Sequence, residues 1–465
     1  MSDLTELSIA QAAAALRAGR CSATELTLAH LARIERLNPR LNAYLTVTAE
    51  RALADARRAA DELGRGVDRG PLHGVPIGLK DIVDTAGIRT TCGSKVHATH
   101  VPSADAAVAR KLAEAGAVLL GKLATHEYAF GVTTNNPHWG PTRNPWDTTR
   151  IPGGSSGGSG AAVAARMACG AIGTDTGGSI RMPAAVCGVV GLKPTYGRVS
   201  KTGVFPMSYL FDHVGPLTRT VEDAAIMLGA IAGYDAGDAT TVPMPVDDYR
   251  ARLGDGMRGL RIGVPRSLFT PVDRAVLAAV EEALVTLADL GATVREVSVP
   301  EFPMPGMFDL IIAEAKEIHA DTLANRMDDL GADVALYLSA PHGDAVALAL
   351  ALRHVREYAA GVRTVLHDQV DLLVLPTCPI GAPPIGTDVV DVGGEAVQTF
   401  FAMSLRTAPF NAAGVPALTV PCGFTPGGLP IGLQIVGRPF DEVTVLRAGH
   451  AYEQATEWHR RRPPE

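Results

Sequence analysis

Residues 151–200 read IPGGSSGGSGAAVAARMACGAIGTDTGGSIRMPAAVCGVVGLKPTYGRVS, with two Gly/Ser clusters at 153–160 and 173–179. Glycine loses more conformational freedom on folding than any other residue, so this density has a geometric reason. One reason is a flexible linker; the other is backbone bent closely around something bound. A linker lacks the apolar residues needed to bury it. This stretch carries Val163, Met167, Ile172, Ile180, Met182, Val186, Val189, Val190 and Leu192. It reads as buried, sharply turned backbone with hydroxyls set into it.

Outward from this stretch, residues 71–84 (PLHGVPIGLKDIVD) are apolar and broken by Gly74, Pro76 and Gly78, which suits a strand or buried extended segment. Upstream, the spacing predicts helices over 8–17, 22–37 and 48–63, the second opened by a capping box of Ser22 and Glu25. Further helices are expected over 105–115, 125–130, 158–167, 220–232, 273–290 and 443–454. The region 306–348, interrupted at Pro341 and Gly343, reads as mostly helical and continues over 349–368. Strands are expected at 118–120, 260–264, 293–299, 371–375, 417–420 and 431–436, and a Pro/Gly/Asp-rich loop at 379–394. The strand–helix–strand rhythm of 260–299 is that of an α/β protein. The expected organisation is a single α/β domain spanning 1–465, with a helical excursion around 300–370.

The 465 residues are 47% hydrophobic and 20% charged, ample for one large core or two ordinary ones. The net charge is -7, without long like-charge runs, so nothing calls for a nucleic-acid surface. Six cysteines at 21, 92, 169, 187, 378 and 422 form no CxxC pair, which leaves a disulfide scaffold and a thiolate zinc site without support. The first residues carry two early acids and no cationic segment before an apolar core, and no apolar run is long enough to span a membrane. A cytoplasmic protein is expected.

Several chemistries are excluded by pattern. No HExxH occurs among the 13 histidines, and no GxSxG elbow feeds a clear Ser/Asp/His order. GGSSGGSG has no lysine where a phosphate-binding loop needs one, and neither Gly/Ser cluster holds GxGxxG. Hydroxyls on glycine-rich backbone remain, with a lysine elsewhere. These residues, GGSSGGSGAAVAA, GTDTGGSIRMPA and GLKPTYGRVS, resemble the signature of the amidase signature family of serine hydrolases. GVPIGLKD, GVTTNNPHWGPTRNP and GVPALTVPCG…LPIGLQIVG match in the same order. The resemblance runs from about residue 8 to the last helix and is weakest over 235–370.

The resemblance implies a mixed β-sheet core covered by helices on both faces, and a Ser-cisSer-Lys triad. Ser179 matches the nucleophile, Ser155 the bridging serine after a cis peptide from Gly154, and Lys80 the terminal base. Thr176, Gly177, Gly178 and Ser179 match the backbone whose N–H groups form the oxyanion hole. No cofactor or metal is implied. The residue types suit the task. A serine hydroxyl needs a base, and lysine serves only when neutral, which burial or neighbouring cations can arrange. Chemistry alone leaves Ser155 and Ser156 exchangeable, with Ser156 otherwise a supporting donor. Asp175 and Arg181 read as a pair that holds the loop, Arg181 alternatively as a contact for an anionic substrate. Cys169 and Cys187 read as inert packing, which disfavours a Glu-Lys-Cys site. Tyr128, Phe130, Phe205, Met207 and Phe410 are candidates for an acyl pocket or equally for core.

The expected function is an amidase hydrolysing a small carboxamide to carboxylate and ammonia or amine through an acyl-enzyme on Ser179. Its partner is then a small-molecule amide, with no nucleic acid and no membrane, and a homodimer is a possible assembly. The alternative is the glutaminase (A) subunit of a tRNA-dependent amidotransferase. That subunit carries a tyrosine-rich segment like GYYDAYYxKAQ, of which RHVREYAAGVRTVLHDQV retains little. A non-enzymatic binding protein is a third class, disfavoured by the apparently intact triad.

Overall fold

In a computed structural model describing residues 3–464, eleven strands form one mixed sheet. From edge to edge they are Tyr44–Val47, Val118–Leu123, Pro76–Lys80, Gly170–Asp175, His213–Thr218, Val190–Lys193, Ala417–Phe424, Pro430–Val436, Leu372–Pro376, Arg261–Val264 and Thr293–Glu296. Pro76–Lys80 runs parallel to both its neighbours, whereas the strands from Gly170–Asp175 through Leu372–Pro376 pair antiparallel. The strands Leu372–Pro376, Arg261–Val264 and Thr293–Glu296 are again parallel, and the helix Arg274–Asp289 supplies the crossover that a parallel pair requires.

Helices start where the sequence caps them. Ser22 accepts from Glu25 N–H, and Glu25 accepts in return from Ser22 N–H at 2.8 Å, opening Ala23–Leu41. That helix runs past the expected Leu37 and stops at Asn42, which is left-handed (φ 51°). The helix Gly157–Ala164 is buried along its whole length. Its small residues permit a close approach: a Cβ on Gly158 would lie 2.4 Å from the Ala124 nitrogen. A second apolar cluster lies around the helices Met304–Ile318, Ala332–Ser339 and Ala345–Thr364, which pack with Tyr128, Phe130 and Phe211. No helix among the described residues is long and apolar enough to cross a membrane.

Four strands of the sheet, Tyr44–Val47, Gly170–Asp175, Val190–Lys193 and His213–Thr218, go beyond those expected from sequence. Every residue in the last three is buried, so they show no polar alternation. The helix expected over 125–130 is a single 3₁₀ turn, Glu127–Ala129, because Tyr128 and Ala129 adopt left-handed backbone (φ 49° and 63°). The loop expected at 379–394 ends in a hairpin, Val389–Val392 with Glu395–Gln398, turning at Gly393 and Gly394.

Candidate active site

The parallel pairing of Pro76–Lys80 with Gly170–Asp175, in register at Leu79 and Ile172, puts the C-terminal ends of both strands side by side. Lys80 ends the first strand, and Thr174 and Asp175 end the second. Lys80 Nζ donates to Ser155 Oγ at 2.7 Å and to Thr174 Oγ1 at 2.8 Å, and the side chain is fully buried. The Gly154–Ser155 peptide is cis.

Ser179 follows in the turn between Gly170–Asp175 and the helix Arg181–Cys187. Ser156 N–H donates to its carbonyl at 3.3 Å, which joins the two Gly/Ser clusters. Among the described residues no hydrogen bond joins the Ser179 hydroxyl to Ser155; unliganded sites often tighten such contacts only when substrate binds. Ser156 is occupied structurally, exchanging bonds with Thr174 through its hydroxyl. Lys80 selects Ser155.

The Lys80 amine is depressed to about 7, and the cause is burial; Asp212 and Asp175 oppose it. The neighbouring cations allowed for from sequence play no part. Asp175 is fully buried, and burial alone would raise its carboxyl. The fork of Arg181 (2.8 and 2.9 Å) instead holds it well below the usual carboxylate range. Arg181 also donates to Thr407 C=O, Gln434 and Asn411. Its donors are spent inside the protein, so it is no substrate contact.

Asp175 also accepts Gly178 N–H at 2.8 Å and Ile180 N–H at 3.1 Å. This corrects the expected donor set: the Gly178 N–H is already used, leaving Thr176, Gly177 and Ser179. Gly178 has a different task. Its φ is +132°, and a Cβ there would meet Thr407 Oγ1 at 2.1 Å, so only glycine lets Thr407 donate to Gly177 C=O at 2.6 Å.

A cavity of about 70 Å³ opens beside Ser179, lined by Met182, Met207, Met304, Met307, Phe308, Ile311, Phe400 and Phe401, with Gly177 and Thr176 at its polar end. Of the five apolar candidates only Met207 lines it. Tyr128 and Phe205 pack on His97 and His319, Phe130 faces a neighbouring cavity and Phe410 is core. The wall comes mostly from Met304–Ile318 and the region around Phe400, expected from sequence only as helix and as unassigned chain. A run of Met and Phe on the first turns of a helix was the available signal. Thr174 and Asp212 were also missed. Cys187 is fully buried with its thiol pushed far up, and Cys169 is pushed up to about 12, so neither is a nucleophile.

A buried lysine, a buried serine, a second serine at the edge of a cavity and free backbone N–H groups together make a serine acyl-transfer site. Residues 25–446 match the family model for Amidase. The chain belongs to the amidase signature family. It is 43% identical to the A subunit of the glutamyl-tRNA(Gln) amidotransferase of Chloroflexus aggregans over 100% of this chain and 99% of that protein. It is 45% identical to the protein of the same name from Moorella thermoacetica over 95% of each. A solved chain described as part of an unexpected vestigial protein complex, revealing the evolutionary origins of an s-triazine catabolic enzyme, superposes with a TM-score of 0.92 at 37% identity. That likeness covers 96% of this chain and 98% of that one. The enzyme class, an amidohydrolase of linear carboxamide C–N bonds, stands.

Two expectations are corrected. A free-standing hydrolase of small carboxamides gives way, because near-full-length relatives above 40% identity are named as amidotransferase subunits. The segment RHVREYAAGVRTVLHDQV lies on the helix Ala345–Thr364 and the turn Val365–Gln369 that continues it, and it contributes nothing to the cavity beside Ser179. Its sequence therefore does not report on the bond cleaved. The expectation of a small-molecule partner without nucleic acid falls with it, since those relatives are named for a reaction on glutamyl-tRNA(Gln).

Proposed function

We propose that the chain is the glutaminase (A) subunit of a tRNA-dependent amidotransferase, releasing ammonia from an amide donor for use with partner subunits. The identity of 43% and 45% to glutamyl-tRNA(Gln) amidotransferase A subunits over 100% and 95% of the chain carries this reading. Ser179 Oγ attacks the side-chain carbonyl of glutamine, its proton passing to Ser155 while Ser155 gives its own to Lys80. Thr176, Gly177 and Ser179 N–H groups receive the oxyanion. Collapse breaks the C–N bond, ammonia leaves with a returned proton, and water hydrolyses the glutamyl ester of Ser179. The apolar cavity suits the two methylenes of glutamine but has no charged wall. An adjoining cavity shares Gly131, Val132 and Phe400 with it and carries His126, Asp333 and Asp388. Asp388 and, in its 2.7 Å contact with His126, Asp333 offer carboxylate for the α-ammonium in this reading.

The test measures ammonia release from L-glutamine by the chain alone and with its co-expressed partner subunits, together with formation of glutaminyl-tRNA from glutamyl-tRNA. Activity abolished by Ser179→Ala supports the reading. No glutamine-dependent ammonia in either setting overturns it.

A further inference from the structure

A second cavity, of about 410 Å³, is lined by Thr174, Lys201, Ser208 and Asp212. None of these lines the cavity beside Ser179. Thr174 is the second partner of the Lys80 amine, so Lys80 contacts the lining of this second cavity directly, its other partner being Ser155.

Asp212 spends both oxygens. Thr176 Oγ1 donates to Oδ1 at 2.5 Å, while Met207 N–H and Ser208 N–H donate to Oδ2 at 2.8 and 3.0 Å. The Asp212 N–H returns to Ser208 C=O at 3.1 Å, and the Ser208 hydroxyl donates to Glu314 on the helix Met304–Ile318. One carboxylate thus joins the head of the oxyanion turn to the loop that presents Met207 to the substrate cavity.

Burial pushes the Asp212 carboxyl up, while the bonds from Thr176, Ser208 and Met207 and the field of Lys201 favour its charged form. Two carboxylates act on Lys80, Asp212 and Asp175. Asp175 is neutralised in the fork of Arg181, with Lys193 also near. Asp212 forms no ion pair within 4 Å among the described residues. Lys201, whose field reaches it, gives its amine to the Tyr196 hydroxyl and the Tyr209 carbonyl. Glu314 adds negative charge on the same side, and His213, deeply buried, is held far toward its neutral form by burial.

We propose that Asp212 is a positioning residue for acyl transfer: it fixes Thr176 and Met207 through its two oxygens, and its unpaired charge faces the Lys80 amine from the side of Thr174. The proposal rests on Lys80 acting as base for Ser179, and is independent of which amide is cleaved. Asp212→Asn removes the charge and keeps the bonds, because the asparagine oxygen accepts from Met207 and Ser208 while its NH₂ donates to Thr176. Thr176→Val removes the bond and keeps the charge.

The test follows inactivation of the full chain by phenylmethylsulfonyl fluoride against pH, with the label located by mass spectrometry. This needs no amide. Parent enzyme should label at Ser179 with a rate that falls on the acid side of about 7. Losing a facing negative charge favours neutral lysine, so Asp212→Asn should move that limb down by about one pH unit. Thr176→Val should lower the plateau rate severalfold and leave the limb where it is. An unmoved limb in Asp212→Asn, or an equal shift in both variants, overturns the proposal. Absence of Ser179 labelling in the parent would overturn the base reading and this proposal with it, and is seen before any substitution at Asp212.

Discussion

Lys80 and Lys122 lie on neighbouring parallel strands, with Lys122 opposite Leu79 and Lys80 opposite Leu123, and both side chains are fully buried. Burial depresses both amines, to about 7 and about 8. Their partners differ. Lys122 donates to the Val83 carbonyl and to Thr85 and Thr90, with Asp81 and Asp84 favouring its charge. The Thr85 and Thr90 hydroxyls give their own protons to the Val83 and Ile88 carbonyls, so all three partners accept and the pocket is built for an ammonium. Lys80 meets two hydroxyls, from Ser155 and Thr174, and a hydroxyl can donate as well as accept. Its pocket serves the neutral amine and the ammonium alike. Desolvation alone does not make a lysine a base; partners that tolerate both protonation states do.

The comparison breaks at its strongest point if Lys80→Ala is harmless. We expect amide hydrolysis to drop by about 10³-fold or more, since both the base and its serine relay are lost, whereas Lys122→Met should retain kcat within severalfold. Steady-state kinetics on both variants decide it. Ser155→Ala should cost about 10²- to 10⁴-fold with the fold intact by circular dichroism, while Ser156→Ala should leave the Lys80 contact standing and cost less.

Lys122 should reveal itself in stability. Replacing it with Met takes the ammonium from the Val83 carbonyl, which keeps only the Thr85 hydroxyl, and a hydrogen bond to a charged group is worth about 1.5–3 kcal/mol, read from the urea midpoint. A midpoint equal to that of the parent would mean that the ammonium was never needed.

The smallest effect concerns pH. The Lys80 amine titrates near 7 when folded and 10.5 when free. Between these values the unfolded chain binds more protons, so stability rises with pH across the window. Lys80→Met should flatten that rise in urea titrations from pH 7 to 10, and an unchanged slope would place the proton elsewhere.

Only the Lys80 side of this contrast was visible in sequence, because GLKD, GGSSGG and TDTGGS each have a recognisable pattern in the expected chain order. The outer elements were legible too: Ser22 with Glu25 marks a real helix start, and the βαβ rhythm of 260–299 is present as read. What stayed hidden depended on tertiary context. Gly170–Asp175 is a central strand whose glycines and complete burial erase any period of two. Asp175 takes the Gly178 N–H from only three residues away, but its carboxylate is held by Arg181, which is itself fixed by Thr407, Asn411 and Gln434 far along the chain. Asp212 sits in a polar loop with no motif around it and matters only because Thr176 lies opposite. The cavity wall from Met304 to Ile311 fell where the family resemblance is thinnest.

The clamp on Arg181 has a consequence for biosynthesis. Its partners Thr407, Asn411 and Gln434 are 226, 230 and 253 residues further along the chain. During synthesis the serine-bearing turn leaves the ribosome long before they do, and Arg181 has only Asp175 to hold it until the last strands dock. Contacts this distant form late. A nascent or truncated chain therefore holds all three triad residues and no rigid turn on which to use them, so hydrolytic power arrives only with the completed polypeptide.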